Sequence, residues 1–510
     1  MKIIKKLIVC LLVLFLAFTT FLGILSKTIS PEIVRKYVNT ELTALTSQPA
    51  QINGDISWQL LPLPGIRLSG IEIGNTNNSK NYSVAIEKLL FNLKIAPLLR
   101  GKLVFSEIKA NGFKIEINSD LPWSSIPPLK PEEEPKPAGI RQRFDIERLI
   151  LSRGQFVFIE NGKTVNLSGI QLSAENINLN QDSVQLHLKT RLHYLNPGQH
   201  QAHGSLLFKG CASLSKGVLD NPKSFLHLTS LDGQLTVRDL IIDKVRINKA
   251  KAVTSFKHGI LQLNPVTIGF YQGEAIGDLR YEPTDKNLQL NFAASNLNSG
   301  LLTSDLFDSA LLKGKLDFSL HTQSVLHKGS WLNRTAGNGK ISIRDGALST
   351  VNLHSIMQNA SNTLGQITGL TKPEQRNISQ ALLNVSAANQ GETPFEIASM
   401  QYQLNNNVLR SDNLFLKTAI LKLKGNGQLR LDSYNLSGAI LAYVIAPDAN
   451  MNQIQQLLGG YFPLTVSGTL TQPVILPDLK KINPTLTQMW LKERLTKPVI
   501  KLKEQLKALF

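Results

Sequence analysis

The chain has 510 residues, with 55 Lys and Arg against 37 Asp and Glu and a net charge of +18. Apolar residues make up 42% and charged residues 18% of the chain. This composition excludes an intrinsically disordered protein, which needs few apolar residues and many charges. Only two cysteines are present, Cys10 and Cys211, so a disulfide framework and a cysteine-rich metal cluster are also excluded.

The N-terminus contains an apolar segment long enough to cross a membrane. Residues 7–25 form 19 consecutive residues without a charge. A helix of that length spans about 28 Å, close to the ~30 Å hydrocarbon core of a bilayer. Lys2, Lys5 and Lys6 precede it, which predicts a cytoplasmic N-terminus and a single-pass anchor with the bulk of the chain on the other side. The alternative is a cleaved signal peptide, whose apolar region is shorter, roughly 7–15 residues.

From Ile52 onwards, apolar and polar residues alternate with period two between Gly, Asn and Asp residues. This pattern predicts a mainly β fold of about twenty strands in a long, curved antiparallel sheet. Asn161-Gly162 is predicted to form a hairpin turn, and the glycine-containing stretch 425–427 another turn. Helical spacing of apolar residues predicts a few helices, at residues 31–46, 351–367 and 451–458.

The pattern divides the chain into six predicted parts. A linker is indicated by six prolines within residues 121–137, because proline cannot donate to a strand ladder. Residues 485–510 read as a basic amphipathic helix. The predicted parts are a cytoplasmic N-terminus and anchor (1–27), a membrane-proximal β region (28–120), a Pro-rich linker (121–140), a central β-groove (141–335), a C-terminal region with helix 351–367 (336–480) and a basic tail (481–510).

The alternation places aliphatic and aromatic residues on one face of the predicted sheet. An antiparallel sheet must cover such a face with protein or fill it with something else. It is therefore either an ordinary core or a trough that holds lipid acyl chains, which gain about 0.8 kcal/mol per buried CH₂. The candidate lipid-binding residues are Phe113, Ile115, Ile117, Val184, Leu186, Leu188, Leu235, Val237, Leu288, Leu290, Phe292, Leu316, Phe318 and Leu320.

No set of residues in the sequence suggests catalysis. His200 and His203 form a conceivable ligand pair, but no nearby carboxylate completes a site, and surface residues are the favoured interpretation. The run Glu132–Glu134 lies in the predicted linker, where no rigid element would hold a catalytic carboxylate. Asp345-Gly346 is predicted to be a turn before a helix that Ser349 or Thr350 caps. We therefore predict no enzyme activity, cofactor or metal.

The basic balance leaves two interpretations open. Lys and Arg are spread singly along the alternating strands, apart from the tail. No helix-turn-helix, zinc-finger or RNA-recognition pattern is present, so we expect no nucleic acid partner. The charges then form a solvated face or contact an anionic membrane surface.

Four segments in order resemble the AsmA family. Residues 51–75 carry Gly54, Trp58, Pro62 and Gly65 and end in Ile-Gly-Asn, similar to the N-terminal signature of that family. Residues 93–117 resemble the next element of the family. Residues 337–353 resemble its C-terminal block around Asp-Gly, and residues 463–478 resemble its closing strand pair.

The resemblance implies a bacterial inner-membrane protein facing the periplasm, with a β-groove related to bridge-like lipid-transfer proteins. It implies phospholipid as the partner, and a role in phospholipid transfer to the outer membrane, its homeostasis or its biogenesis. The alternative is a non-enzymatic scaffold that assists outer-membrane protein assembly through an outer-membrane or periplasmic protein partner.

Overall fold

Strands dominate the structure, a computed structural model, so the chain is mainly β as predicted. The structure describes residues 32, 35–36, 39–40, 50–59, 64–74, 82–94, 105–118, 146–177, 182–198, 200–214, 229–326, 331–368, 391–447, 449–478 and 481. The predicted anchor 7–25, the proline-rich stretch 121–137 and the tail 485–510 lie outside these ranges. The described residues contain 22 strands, and the chain divides into two compact units, Met1–Leu263 and Asn264–Phe510.

The first unit is a sheet in which each strand from β3 onwards pairs with the next one in sequence. β1 and β2 both pair with β3. The strands are β1 Ala50–Ile52, β2 Ile56–Gln59, β3 Gly65–Ile73, β4 Tyr82–Leu93, β5 Phe105–Asn118, β6 Ile146–Glu160, β7 Lys163–Ile177, β8 Val184–Asn196, β9 His200–Leu214, β10 Thr229–Ile242 and β11 Val245–Lys257. β12, Ile260–Phe270, contains the boundary between the units.

The second unit continues as an antiparallel meander from β13 to β22. Its strands are β13 Gly273–Glu282, β14 Asn287–Asn298, β15 Leu312–Val325, β16 Thr335–Leu348, β17 Thr393–Asn405, β18 Val408–Lys417, β19 Leu421–Arg430, β20 Leu436–Val444, β21 Phe462–Gly468 and β22 Pro473–Pro477. Among the described residues, three α-helices and one short 3₁₀ helix, Trp331–Arg334, interrupt it. The α-helices are α1 Ser299–Phe307, α2 Leu353–Thr368 and α3 Ala449–Leu457.

The prediction of a wholly antiparallel sheet is wrong at one pair. β5 and β6 run parallel, with Ile108 opposite Leu149 and Ile115 opposite Phe156. A parallel pair needs a long connection that returns the chain to the end where the first strand began. The connection 119–145, which includes the proline-rich stretch, has the length for that return.

The predicted turn at Asp345-Gly346 is also wrong, because both residues lie inside β16. Asp345 has φ 49°, in the left-handed region, and Gly314 of the neighbouring strand marks a register shift there. Such a bulge changes which face the following residues occupy. Ile343 and Leu348 therefore join the same apolar cluster although they are five positions apart.

The start of α2 differs from its prediction as well. The helix begins at Leu353, and the Ser355 N–H donates to the Asn352 Oδ1 at 3.0 Å. The Leu353 N–H donates to the Thr393 Oγ1 at 2.9 Å. The cap therefore comes from Asn352, and β17 supplies a second acceptor, in place of Ser349 or Thr350.

Of the two predicted turns, one is confirmed and one is wrong. Asn161 and Gly162 connect β6 to β7 with φ 51° and 72°, as a two-residue hairpin requires. Residues 425–427 lie in the middle of β19, where Gly425 and Gly427 pair with Ile440 and Gly438. The prediction failed because glycine also serves where neighbouring backbones approach closely.

Candidate functional site

One side of the sheet in the first unit is apolar from strand to strand. Residues that pair across strands project from the same side of a sheet. The register therefore aligns one apolar residue from each of ten consecutive strands in a single row, namely Ile56, Leu68, Leu89, Ala110, Leu151, Leu172, Leu188, Phe208, Leu235 and Ala252. We call this side of the sheet, in each unit, the apolar face. At about 4.8 Å per strand, the row is roughly 43 Å long along the sheet.

Several aromatic rings on the apolar face lie over glycines of the same or a neighbouring strand. A Cβ at Gly154 would lie 2.0 Å from the Phe113 ring, and one at Gly233 would lie 2.7 Å from the Phe208 ring. The same relation joins Gly277 with Phe292, Gly339 with Tyr402 and Gly346 with Phe395. A ring that covers a glycine lies along the sheet rather than standing upright on it. At these positions the aromatic rings therefore project little above the backbone of the sheet.

Much of the apolar face in the first unit is only half-buried. Leu151, Leu172, Leu188 and Leu235 are each half-buried, whereas Phe208 and Ala252 in the same row are buried. The largest buried cluster of this unit is confined to β1–β3, around Ile71. A face packed under a second layer would bury its central leucines completely. The leucines of β6–β10 therefore retain access to an apolar ligand.

The apolar face of the second unit is closed at one end by helices. Ile356 and Met357 of α2 and Ile454 of α3 are buried together with Leu421 and Phe462 from the strands. The Gln455 side chain of α3 accepts from the Val444 N–H at 2.8 Å, which ties this helix to β20. The apolar face of β19–β22 is therefore covered by these helices and forms an ordinary protein core with them.

The remainder of this face resembles the face of the first unit. Leu288, Leu290 and Phe292 of β14 are half-buried and pair with Ser324, Thr322 and Leu320 of β15. Towards α1, the strands become more buried, around Leu297 and Leu316. Apolar side chains stay partly accessible away from α1.

All fourteen candidate residues lie on the apolar face of their own unit. Eight belong to the first unit: Phe113, Ile115 and Ile117 on β5, Val184, Leu186 and Leu188 on β8, and Leu235 and Val237 on β10. Six belong to the second: Leu288, Leu290 and Phe292 on β14, and Leu316, Phe318 and Leu320 on β15. Phe113, Val184 and Leu316 are buried and the other eleven are half-buried. Lipid contact by these residues stays a prediction.

Sequence reasoning missed the parts of this face that glycines and bulges create. Leu151, Leu172 and Phe208 belong to the central row but were not among the candidates. Register shifts opposite Gly154 and Gly169 change the face within β6 and β7, which breaks simple alternation. A glycine in the interior of a strand, in register with an aromatic residue, is the sequence signal that would have located these parts of the apolar face.

The opposite side of the sheet is polar in the part of the chain that the structure describes. The His200 Nδ1 lies 2.8 Å from the Asp243 Oδ2, while His203 pairs with His193 of the adjacent strand. The two predicted histidines are thus not brought together as ligands. Partial burial opposes ionisation of Asp243, but the Gln201 N–H and His200 outweigh it and lower the pKa of that carboxyl. No group of three potential metal ligands occurs among the described residues.

A membrane span is absent from the described part of the chain: none of its helices combines the length and the apolar character that crossing a bilayer needs. The predicted anchor at residues 7–25 lies outside the described part of the chain.

The fold and this face together define a mainly β protein with an extended, partly accessible apolar sheet face. The family model described as the AsmA family matches residues 1–196 and 214–414, which is most of the chain. The chain belongs to the AsmA family. No curated protein and no solved structure matches it.

Proposed function

We propose that this protein binds phospholipid acyl chains on its apolar face and supports phospholipid transfer to the outer membrane or its homeostasis. The role is non-enzymatic and requires no cofactor. The observation that carries the proposal is the row of half-buried leucines on β6–β10, which are neither solvated polar residues nor a closed core. An acyl chain along such a row gains about 0.8 kcal/mol for each CH₂ removed from water.

The chemistry of the apolar face favours a long aliphatic ligand over a compact polar one. Across ten strands the central row offers no charged side chain. The phenylalanine rings that lie over glycines leave room above the sheet without adding a polar group. A small polar molecule would find no partner for its hydrogen bonds there, whereas an acyl chain needs none.

We further propose that residues 7–25 anchor the protein in the bacterial inner membrane as a single span, with a cytoplasmic N-terminus and the β region in the periplasm. The apolar length of that segment and the three lysines before it support this placement. Membership of the AsmA family is consistent with it. The apolar face of each unit would then lie in the space through which lipid must pass.

The helices of the second unit define where bound lipid would end. α2 and α3 already cover the apolar face over β19–β22, and the side chains beneath them are almost fully buried. Lipid is therefore expected on β6–β10 of the first unit and on β14 and β15 of the second, and not at the helix-covered end.

Site-specific photo-crosslinking in cells tests the proposal on the full chain. A photoreactive side chain is placed at Leu188 and at Leu290, each half-buried on the apolar face. The matched control is Gln289, the residue before Leu290 on the same strand, which projects from the other face. Phospholipid adducts at Leu188 and Leu290 but not at Gln289 support the proposal. Adducts at all three positions, or at none in a folded protein, contradict it.

A scaffold that assists outer-membrane protein assembly is the second candidate. The closed core under α2 and α3 favours it, because that part of the apolar face is filled by protein. The same crosslinking experiment separates the two candidates. A scaffold gives protein adducts and no lipid adducts at Leu188 and Leu290.

A further inference from the structure

The polar side of β8–β11, opposite the apolar face, carries a dense group of cations. Register places six of them on this side of four consecutive strands. All six are exposed. We call this set the cationic patch, and its members are Lys189, Arg191, Lys209, Arg238, Lys249 and Lys251.

The patch brings like charges together. Arg238 of β10 is directly opposite Lys249 of β11. Both Arg191 and Arg238 pair with Ser205 of β9, so Arg191, Arg238 and Lys249 form one row across four strands. Like charges directly opposite one another destabilise a sheet. The arrangement therefore costs folding free energy unless something outside the sheet neutralises it.

Within the described part of the chain, no carboxylate makes an ion pair with any member of the patch. Exposed cations elsewhere do find partners, such as Arg153 with Glu87 at 2.6 Å. At the margins of the patch, Asp232 already pairs with Lys257 and Glu175 with Arg148. Asp239 follows Arg238 and is exposed, but one carboxylate does not balance six cations. The patch is left with a large positive excess.

We propose that the cationic patch binds the anionic surface of a phospholipid bilayer. A second copy of this chain does not fit, because its net charge of +18 would repel the patch. The polar side of these four strands carries no Phe, Tyr or Trp among the described residues. It thus lacks the aromatic anchors that dominate protein interfaces and the stacking rings that single-stranded nucleic acids use.

A bilayer is the anionic partner that suits this surface. It demands no fixed geometry, and flexible Lys and Arg side chains supply the point charges that lipid phosphates attract. The patch lies on the opposite side of the sheet from the face that is proposed to hold acyl chains, so the two sites do not compete. The inference does not depend on acyl-chain binding.

The test uses the full chain reconstituted in phosphatidylcholine nanodiscs, so that the N-terminal apolar segment already occupies a bilayer. Capture of these nanodiscs by vesicles is measured by flotation. The vesicles contain phosphatidylcholine alone or phosphatidylcholine mixed with phosphatidylglycerol. The patch variant combines Lys189→Gln, Arg191→Gln, Arg238→Gln and Lys249→Gln. The matched control combines four exposed cations of the second unit, Lys315→Gln, Lys340→Gln, Arg410→Gln and Lys424→Gln, and so removes the same charge.

Capture by phosphatidylglycerol vesicles is expected to fall roughly tenfold or more in the patch variant, since each basic residue near an anionic surface contributes to binding. The control should bind like the parent chain, and salt should weaken capture of both. An equal loss in the control would overturn the proposal, since net charge alone would then explain capture. Equal capture by phosphatidylcholine vesicles would also overturn it. So would single-stranded RNA binding that the patch variant loses while vesicle capture is unchanged.

Discussion

The phenol of Tyr402 in β17 donates a hydrogen bond of 2.9 Å to the backbone carbonyl oxygen of Ser319 in β15. The two strands are not neighbours, because β16 lies between them. The ring reaches across β16 at Gly339, where an added Cβ would lie 2.5 Å from the phenol oxygen. The hydrogen bond links β17 to β15 across β16 on the apolar face. It also keeps the Tyr402 ring flat against the sheet.

Gly339→Ala should destabilise the second unit by about 1–3 kcal/mol, because overpacking a filled position strains its surroundings. The new Cβ would meet the Ser319 oxygen at 2.0 Å as well as the Tyr402 phenol. Urea unfolding measures the loss. Gly427→Ala is the control, since its nearest neighbour is a flexible Leu414 methyl at 3.2 Å. Equal losses in both variants would show that glycine replacement in any strand, not the Tyr402 contact, sets the cost.

Tyr402 should make stability depend on alkaline pH. Burial raises the pKa of the Tyr402 phenol above its ordinary 10.0. The folded state therefore keeps its proton at pH values where the unfolded state loses it, and stability declines as pH rises through and above 10.0. Tyr402→Phe should remove this part of the decline and cost about 1 kcal/mol at neutral pH through the lost hydrogen bond. Urea unfolding at a series of alkaline pH values checks it, and an unchanged pH profile in Tyr402→Phe would refute the prediction.

Phe113 and Gly154 should be energetically coupled across the parallel pair β5–β6. Gly154→Ala places a methyl group 2.0 Å from the Phe113 ring and should cost about 1–3 kcal/mol. In Phe113→Leu the ring is gone, so the added methyl should cost less. A double-mutant cycle by urea unfolding measures the difference, and a coupling of about 0.5 kcal/mol or more is expected for residues in contact. Strict additivity would mean that the ring does not rest on the glycine.

Leucines of the two kinds of apolar surface should respond differently to truncation. Leu421 is 1% exposed beneath the helices, so Leu421→Ala should cost about 2–5 kcal/mol. Leu188 is half-buried on the apolar face, so Leu188→Ala should cost clearly less in protein free of lipid. Unfolding of delipidated protein provides the comparison. A loss at Leu188 as large as that at Leu421 would indicate a closed core over β8.

Asp317 should stabilise the bulge in β14 more through a backbone contact than through its ion pair. Its carboxylate accepts from the Asn296 N–H at 2.8 Å and from Arg344 at 2.8 Å. Asp317→Asn retains an acceptor for the backbone and should cost under about 1 kcal/mol, as exposed ion pairs contribute little. Asp317→Ala loses both contacts and should cost about 1–2 kcal/mol. Equal unfolding free energies for the two variants would contradict this division.

Much of the fold follows from local patterns in the sequence. Alternation along β8 places Leu186 and Leu188 on one face and His187 on the other, as the register confirms. The hairpin at Asn161-Gly162 follows from the backbone conformation that those residues favour. The end of α3 at Gly459-Gly460 likewise follows from left-handed glycines.

The errors arise where a distant strand decides the local conformation. Asp345 looked like a turn residue, but two neighbouring strands hold it inside β16 as a bulge. Gly425 and Gly427 looked like a turn, but β20 makes them part of a ladder. The direction of β6 depends on its pairing with β5 across a long connection, which no local pattern records.

Local sequence patterns were enough to predict that this protein is mainly β, that its strands carry one apolar side and one polar side, and that it resembles the AsmA family. These properties depend on residue type and spacing, which act within one strand. Strand pairing depends instead on contacts between distant segments, and so do the accessibility of each leucine and the covering of some of them by α2 and α3. The cations of β8–β11 likewise meet in one patch because register between strands brings together residues that are far apart along the chain.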